Sequence, residues 1–272
     1  INRVTQILGW CKAAAVKSVL FDPLHHCRIL VGDERNGAGG WVNDPTEAAL
    51  ESKSRAELRT WAIKLLTQWA TLLEPEGDYL AFELINEPNT MADYPQFLAE
   101  ALPAVMAVTN RPIAIATTDQ NKSWATYEIY ATVQPYANST QLFITSHWYL
   151  PGPFAFQSAG QNIAWKNSFI ADIDLVMQSV KMAADLLGFP AHLGEFGNMI
   201  TVPVEAERVT AIRAVRQRAK ARDLKGTCLW MYASDFGITN KDANNVFSWK
   251  PNFISALTDD TTSLGAGPAN LI

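Results

Sequence analysis

Tyr79-Leu80-Ala81-Phe82-Glu83-Leu84-Ile85-Asn86-Glu87-Pro88 is an apolar run that ends on a carboxylate where a loop begins. Apolar side chains at nearly every position mark a strand buried on both faces, as in parallel sheets. Packing gives a poor account of Glu87, which sits between Asn86 and Pro88. A second run, Ala191-His192-Leu193-Gly194-Glu195-Phe196-Gly197, ends the same way on Glu195. A charged strand end facing water explains either residue alone less well than a pair with one task explains both.

Working outward, similar short runs predict strands near 18–25, 79–86, 112–118, 142–148, 191–196 and 226–232. Amphipathic spacing predicts helices near 2–15, 46–73, 92–109, 122–134, 172–187, 203–222 and 250–257. Strand–helix alternation of this kind implies a parallel sheet with right-handed crossovers. Asp44-Pro45 reads as a helix start, Gly188 as a helix stop, and the basic end of 203–222 suits the helix dipole. Pro23, placed inside the first strand, suits an edge. Long loops are expected at 27–44, which ends near Trp41, and at 149–170, which carries Phe154, Phe156 and Trp165. The polar tail after Leu257 is expected to be loosely held, and the chain reads as one domain over 1–272.

The chemistry-bearing residues fall at the C-terminal ends of the predicted strands: His25 and His26, Asn86 and Glu87, His147 and Tyr149, Glu195, then Trp230. A TIM-type (β/α) barrel builds its active site on that face. Two carboxylates there are the minimum equipment for cleaving a glycosidic bond. Glu83, four residues before Glu87, is expected on the same side of the strand but deeper, as a buried ion-pair residue. Asp235, on the loop after the last strand, is a cleft candidate.

Composition narrows the partners. The chain has 272 residues, 48% hydrophobic, enough for a sizeable core. The net charge is −5 with no basic run, which argues against nucleic acid. No apolar stretch reaches membrane-span length and no signal peptide is visible, although the chain starts at Ile1 rather than Met. Cys11, Cys27 and Cys228 make neither a metal-ligand pattern nor a disulfide framework, and Cys11 and Cys228 read as buried thiols. No metal or cofactor is expected. Nine tryptophans exceed what a core of this size needs, and aromatic faces match the C–H faces of sugars.

Leu84-Ile85-Asn86-Glu87-Pro88, Ser146-His147-Trp148-Tyr149 and Gly194-Glu195-Phe196-Gly197 resemble the strand-end motifs of family-5 glycoside hydrolases, the large cellulase family. Ala214 to Arg222, Leu229-Trp230-Met231-Tyr232 and Phe236-Gly237-Ile238 are similar to the last helix, strand and loop of its bacterial endoglucanases. The resemblance implies a retaining mechanism on a β-glucan, with Glu87 as acid/base and Glu195 as nucleophile. Tyr149 would then hydrogen-bond Glu195, Asn86 the sugar 2-hydroxyl, and His147 would position Glu87 or substrate. Trp230 would be the sugar platform, with His25, His26, Trp41 and Asp235 lining the site. For His147 and Trp230, a place in the barrel core is the plain alternative. The family also implies secretion or a periplasmic location.

The chain departs from the family pattern in two linked respects. Family-5 barrels have eight βα units, and only about six are visible, with no counterpart to the first two strands. The arginine that the second strand normally supplies to support the nucleophile is missing; Arg28 and Arg35 are the loop candidates for its place. A fragment, a natural six-unit barrel and an assembly of chains each account for this; a shortened, oligomeric barrel is expected, since open edges invite aggregation. The functional expectation is a retaining endo-β-1,4-glucanase. The alternatives are another β-glycosidase (mannanase, β-glucosidase or exo-glucanase) or a catalytically impaired sugar-binding barrel.

Overall fold

The computed structural model describes residues 2–24, 53–77, 79–88, 93–117, 129–230, 236–244 and 246–259. The chain falls into two compact units, Ile1–Ile144 with Leu187–Phe189, and Thr145–Leu186 with Pro190–Ile272. His25, His26, Trp41, Asp235, Arg28, Arg35, Cys27, the Asp44-Pro45 helix start, loop 27–44 and the tail beyond 259 lie outside the described residues.

The first unit alternates α1 (Asn2–Ala13), β1 (Val19–Phe21), α2 (Arg55–Leu73), β2 (Leu80–Glu83), α3 (Tyr94–Met106) and β3 (Ile113–Ala116), then enters β4 (Leu142–His147). The strands pair in the order β1-β2-β3-β4, with Phe21 beside Phe82 and Phe82 beside Ile113, both in parallel register. The buried face of α2 repeats every fourth residue, Leu58, Ala62, Leu66 and Ala70, which is the helical period of a core-facing stripe. That of α3 runs through Phe97, Leu98, Ala101, Leu102 and Val105. Phe82, Leu80, Ile113 and Ile115 are fully or almost fully buried. Each such side chain contributes about 1.5–3 kcal/mol of burial. The Arg59 guanidinium ties the two helices, reaching Asp93 at 2.6 Å and Glu100 at 3.1 Å.

The second unit continues β4, turns through a short helix α4 (Gly152–Ala155), and runs α5 (Phe169–Leu187), β5 (Ala191–Phe196), α6 (Glu205–Ala221) and β6 (Gly226–Leu229). A hairpin of β7 (Thr239–Lys241) and β8 (Phe247–Trp249) precedes α7 (Pro251–Thr258). Its sheet order is β4-β5-β6, with an irregularity between Leu193 and Phe196 that re-aims the end of β5. Among the described residues no helix is long and apolar enough to cross a membrane.

All six expected strands form, and among the described residues helices follow β1, β2, β4 and β5; most of the helix expected over 122–134 lies outside the described residues. Five details differ. The helix expected over 46–73 begins at Arg55, because Ser54 and Glu57 form a reciprocal capping box. The helix expected from Pro203 begins at Glu205. Pro23 lies in the turn after β1, where Asp22 Oδ1 accepts from Leu24 N–H at 2.8 Å, so it carries no information about an edge strand. Cys228 is exposed and Cys11 only half-buried, because β6 is a terminal strand and α1 packs through Leu8 alone among its buried residues. For the same reason the rule of two buried faces holds for β2 to β5 and fails for β1 and β6.

Candidate active site

Glu195 closes β5 with its side chain only 11% exposed. Two groups from the end of β4 converge on one of its oxygens. The Tyr149 hydroxyl donates to Glu195 Oε2 at 2.6 Å, and His147 Nδ1 lies 3.4 Å from the same oxygen. The backbone locks this arrangement, since Trp148 N–H donates to the Glu195 carbonyl at 2.9 Å. A charge-assisted bond to a carboxylate of this length stabilises by about 1.5–3 kcal/mol and favours the ionised form. The expected Tyr149–Glu195 contact is therefore present, and His147 meets Glu195.

Behind this pair sits a layer that the sequence did not flag. A Cβ on Gly194 would lie 2.3 Å from Thr145 Oγ1 and 2.9 Å from His147 Nε2, so His147 occupies the space a side chain would take. Thr145 Oγ1 lies 3.4 Å from His192 Nδ1. Burial, and secondarily the charge of His147, lowers the His192 pKa to about 4, so its imidazole is neutral at pH 7. The signal in the sequence was a lone histidine interrupting an apolar strand.

Tyr149 is framed by aromatic rings. Its ring centroid is 5.0 Å from Phe156 and 5.3 Å from Phe236, and those two are 6.0 Å apart. Phe156 is 43% exposed, whereas Phe154 is fully buried and packs with Trp165 and Phe169 in a separate core. The expected aromatic loop thus divides into one surface ring and a structural cluster. Phe236 is held by a buried arginine, also missed. Arg208 donates from Nε to Asn198 Oδ1 at 3.0 Å and from Nη2 to the carbonyls of Phe236 and Gly237 at 3.2 and 3.1 Å. Trp230 is half-buried after β6, its N–H donating to the Phe196 carbonyl at 2.8 Å.

Glu87 belongs to the first unit. The strand stops at Glu83, and Glu87 adopts φ 46°, a left-handed backbone that glutamate rarely takes. Strand alternation therefore does not carry from Glu83 to Glu87, and the expected shared side has no basis. Glu83 is buried near Tyr94; burial, followed by the Glu83 charge, pushes the Tyr94 phenol well above its ordinary range, and that hydroxyl donates to the Ala116 carbonyl at 2.8 Å. Asn86, 3% exposed, buries its Nδ2 without a hydrogen-bond partner among the described residues. A left-handed backbone at Glu87 and an orphaned buried donor at Asn86 thus stand at adjacent positions.

Comparison with known proteins gives the class. The family model described as Cellulase (glycosyl hydrolase family 5) matches residues 1–235. The chain belongs to that family, and it is a glycoside hydrolase. Among solved structures, an endoglucanase is similar at 19% identity, with a TM-score of 0.73 over 95% of this chain and 77% of that one. Thermotoga maritima Cel5A in complex with cellobiose is similar at 18% identity and a TM-score of 0.73, covering 94% and 77% of the two chains. The cellulose synthase subunit Z of Clostridioides difficile is similar at 21% identity and a TM-score of 0.71, covering 95% and 79%. Among curated proteins no sequence matches. The structural likeness gives the fold, a TIM-type α/β barrel scaffold of which six parallel strands lie among the described residues.

Proposed function

We propose that the protein is a retaining endo-β-1,4-glucanase in which Glu195 is the nucleophile and Glu87 the acid/base. The observation that carries this reading is the Glu195 carboxylate, largely buried and held by Tyr149 at 2.6 Å. A nucleophile must stay ionised, and a phenol donor is one means of keeping it so without the family's arginine. In the first step Glu195 attacks the anomeric carbon while Glu87 donates its proton to the leaving oxygen. In the second, Glu87 takes a proton from water as that water displaces Glu195. Asn86 Nδ2 is a suitable donor to the sugar 2-hydroxyl, a position at which hydrogen bonds help to stabilise the transition state. Phe156 and Trp230 offer faces for neighbouring sugar units.

Glu87→Gln and Glu195→Gln should each abolish hydrolysis of soluble cellulose derivatives. Azide should restore activity to Glu195→Gly with formation of an inverted glycosyl azide. Wild-type rates in either glutamine variant, or an inverted product from the wild type, would sink the reading. A fall in viscosity that outruns release of reducing ends would establish endo action. Mannan belongs in the substrate panel, because Thermotoga maritima Cel5A, a structural relative at 17% identity, is also solved with a mannotriose substrate. A polysaccharide substrate favours export from the cell, and the half-exposed faces of β1 and β6 favour self-association, which light scattering tests.

A further inference from the structure

The second unit contains another concave site, and of its lining residues only Arg208 connects to the Glu195 cluster, through its bond to the Phe236 carbonyl. A cavity of about 490 Å3 lies among the starts of α6 and α7 and the β7–β8 hairpin. That volume suits a small ligand of one or two sugar rings. Its charged lining consists of three cations, Arg208, Lys241 and Lys250, and one carboxylate, Glu205.

The single carboxylate does not balance the cations. Lys250 Nζ takes Glu205 directly, at 2.7 Å. The donors of Arg208 go to neutral acceptors, the Asn198 side chain and backbone carbonyls, so its charge persists in a buried position. Lys241 has no carboxylate partner among the described residues; its Nζ lies 5.6 Å from the centroid of the Phe247 ring. The start of α7 has neither a side-chain cap nor an acidic residue in its first turn, so its positive dipole end adds to the surplus, whereas Glu205 and Glu207 meet that of α6. In a chain of net charge −5 this is a local reversal of sign. Phe247, 45% exposed, supplies an apolar face beside the ammonium, and Asn240 an amide for hydroxyl groups.

We propose that this cavity binds an acidic saccharide, its ring seated against Phe247 and its carboxylate against Lys241. The inference does not rest on the roles given to Glu87 and Glu195. Calorimetry with digalacturonate as probe should show binding at low salt that weakens several-fold as salt screens the charges. Lys241→Gln should weaken it by about tenfold, the scale of one lost ion contact. Phe247→Ala should weaken it comparably. Both variants should keep the wild-type rate on a chromogenic cellobioside, which shows that they are folded. Cellobiose binding should be unchanged by Lys241→Gln. Absence of digalacturonate binding, or binding indifferent to both substitutions, would overturn the proposal. Inorganic phosphate binding as tightly as digalacturonate would also overturn it, by revealing a bare anion site.

Discussion

The Tyr149 hydroxyl reaches Glu195 across 46 residues of sequence, and a donor to a carboxylate favours its ionised form. Tyr149→Phe removes the donor and keeps the ring stack. It should lower kcat/KM by about 10- to 100-fold, the value of one hydrogen bond to a charged group, with little change in thermal midpoint. Gly194→Ala acts on the other neighbour. The new methyl group meets Thr145 Oγ1 and His147 Nε2, so His147 must leave its place beside Glu195. Steady-state assays should show at least a tenfold loss of kcat, accompanied by a lower melting temperature. His192 gives a pH signature. Its folded pKa of about 4 lies below the ordinary 6.5, so between these values the unfolded chain binds a proton that the folded one refuses. Its contribution is complete above pH 6.5 and is lost as pH falls toward 4, by up to about 3 kcal/mol. Urea midpoints across this window should slope less in His192→Leu than in the wild type.

At the scale of elements, helix ends were partly legible. Gly188 was readable as a stop for α5, and it adopts φ +68°. Its other constraint was not readable: a Cβ there would lie 2.2 Å from Asn138 Oδ1, beside the Asn138 N–H bond to the Leu187 carbonyl. Gly188→Ala should therefore destabilise by more than the ~1–2 kcal/mol of left-handed strain alone, as denaturant titration would reveal. The start of α2 shows the reverse case. Asp44-Pro45 lies outside the described residues, and Ser54 with Glu57 forms a complete capping box immediately before α2. Strand ends were legible to within a few residues, because apolar runs continue past the last ladder bond. Leu84 and Ile85 are fully buried without belonging to β2.

For the whole molecule, the terminal strands carry the open question of assembly. Cys228 on β6 is exposed, so a thiol reagent should modify it rapidly in dilute protein, and Cys228→Ser should remove that phase. If copies associate over β6, the phase slows as protein concentration rises; a rate independent of concentration counts against that association. The sequence by itself determined the order and kind of the elements, the six strands, and which carboxylates stand at strand ends, because these follow from local apolar patterning. Only the tertiary structure decided that His147 meets Glu195, that Arg208 holds Phe236, that His192 stays neutral and that Cys228 faces solvent. Each of these depends on distances through space or on burial, and the period of a strand or helix encodes neither.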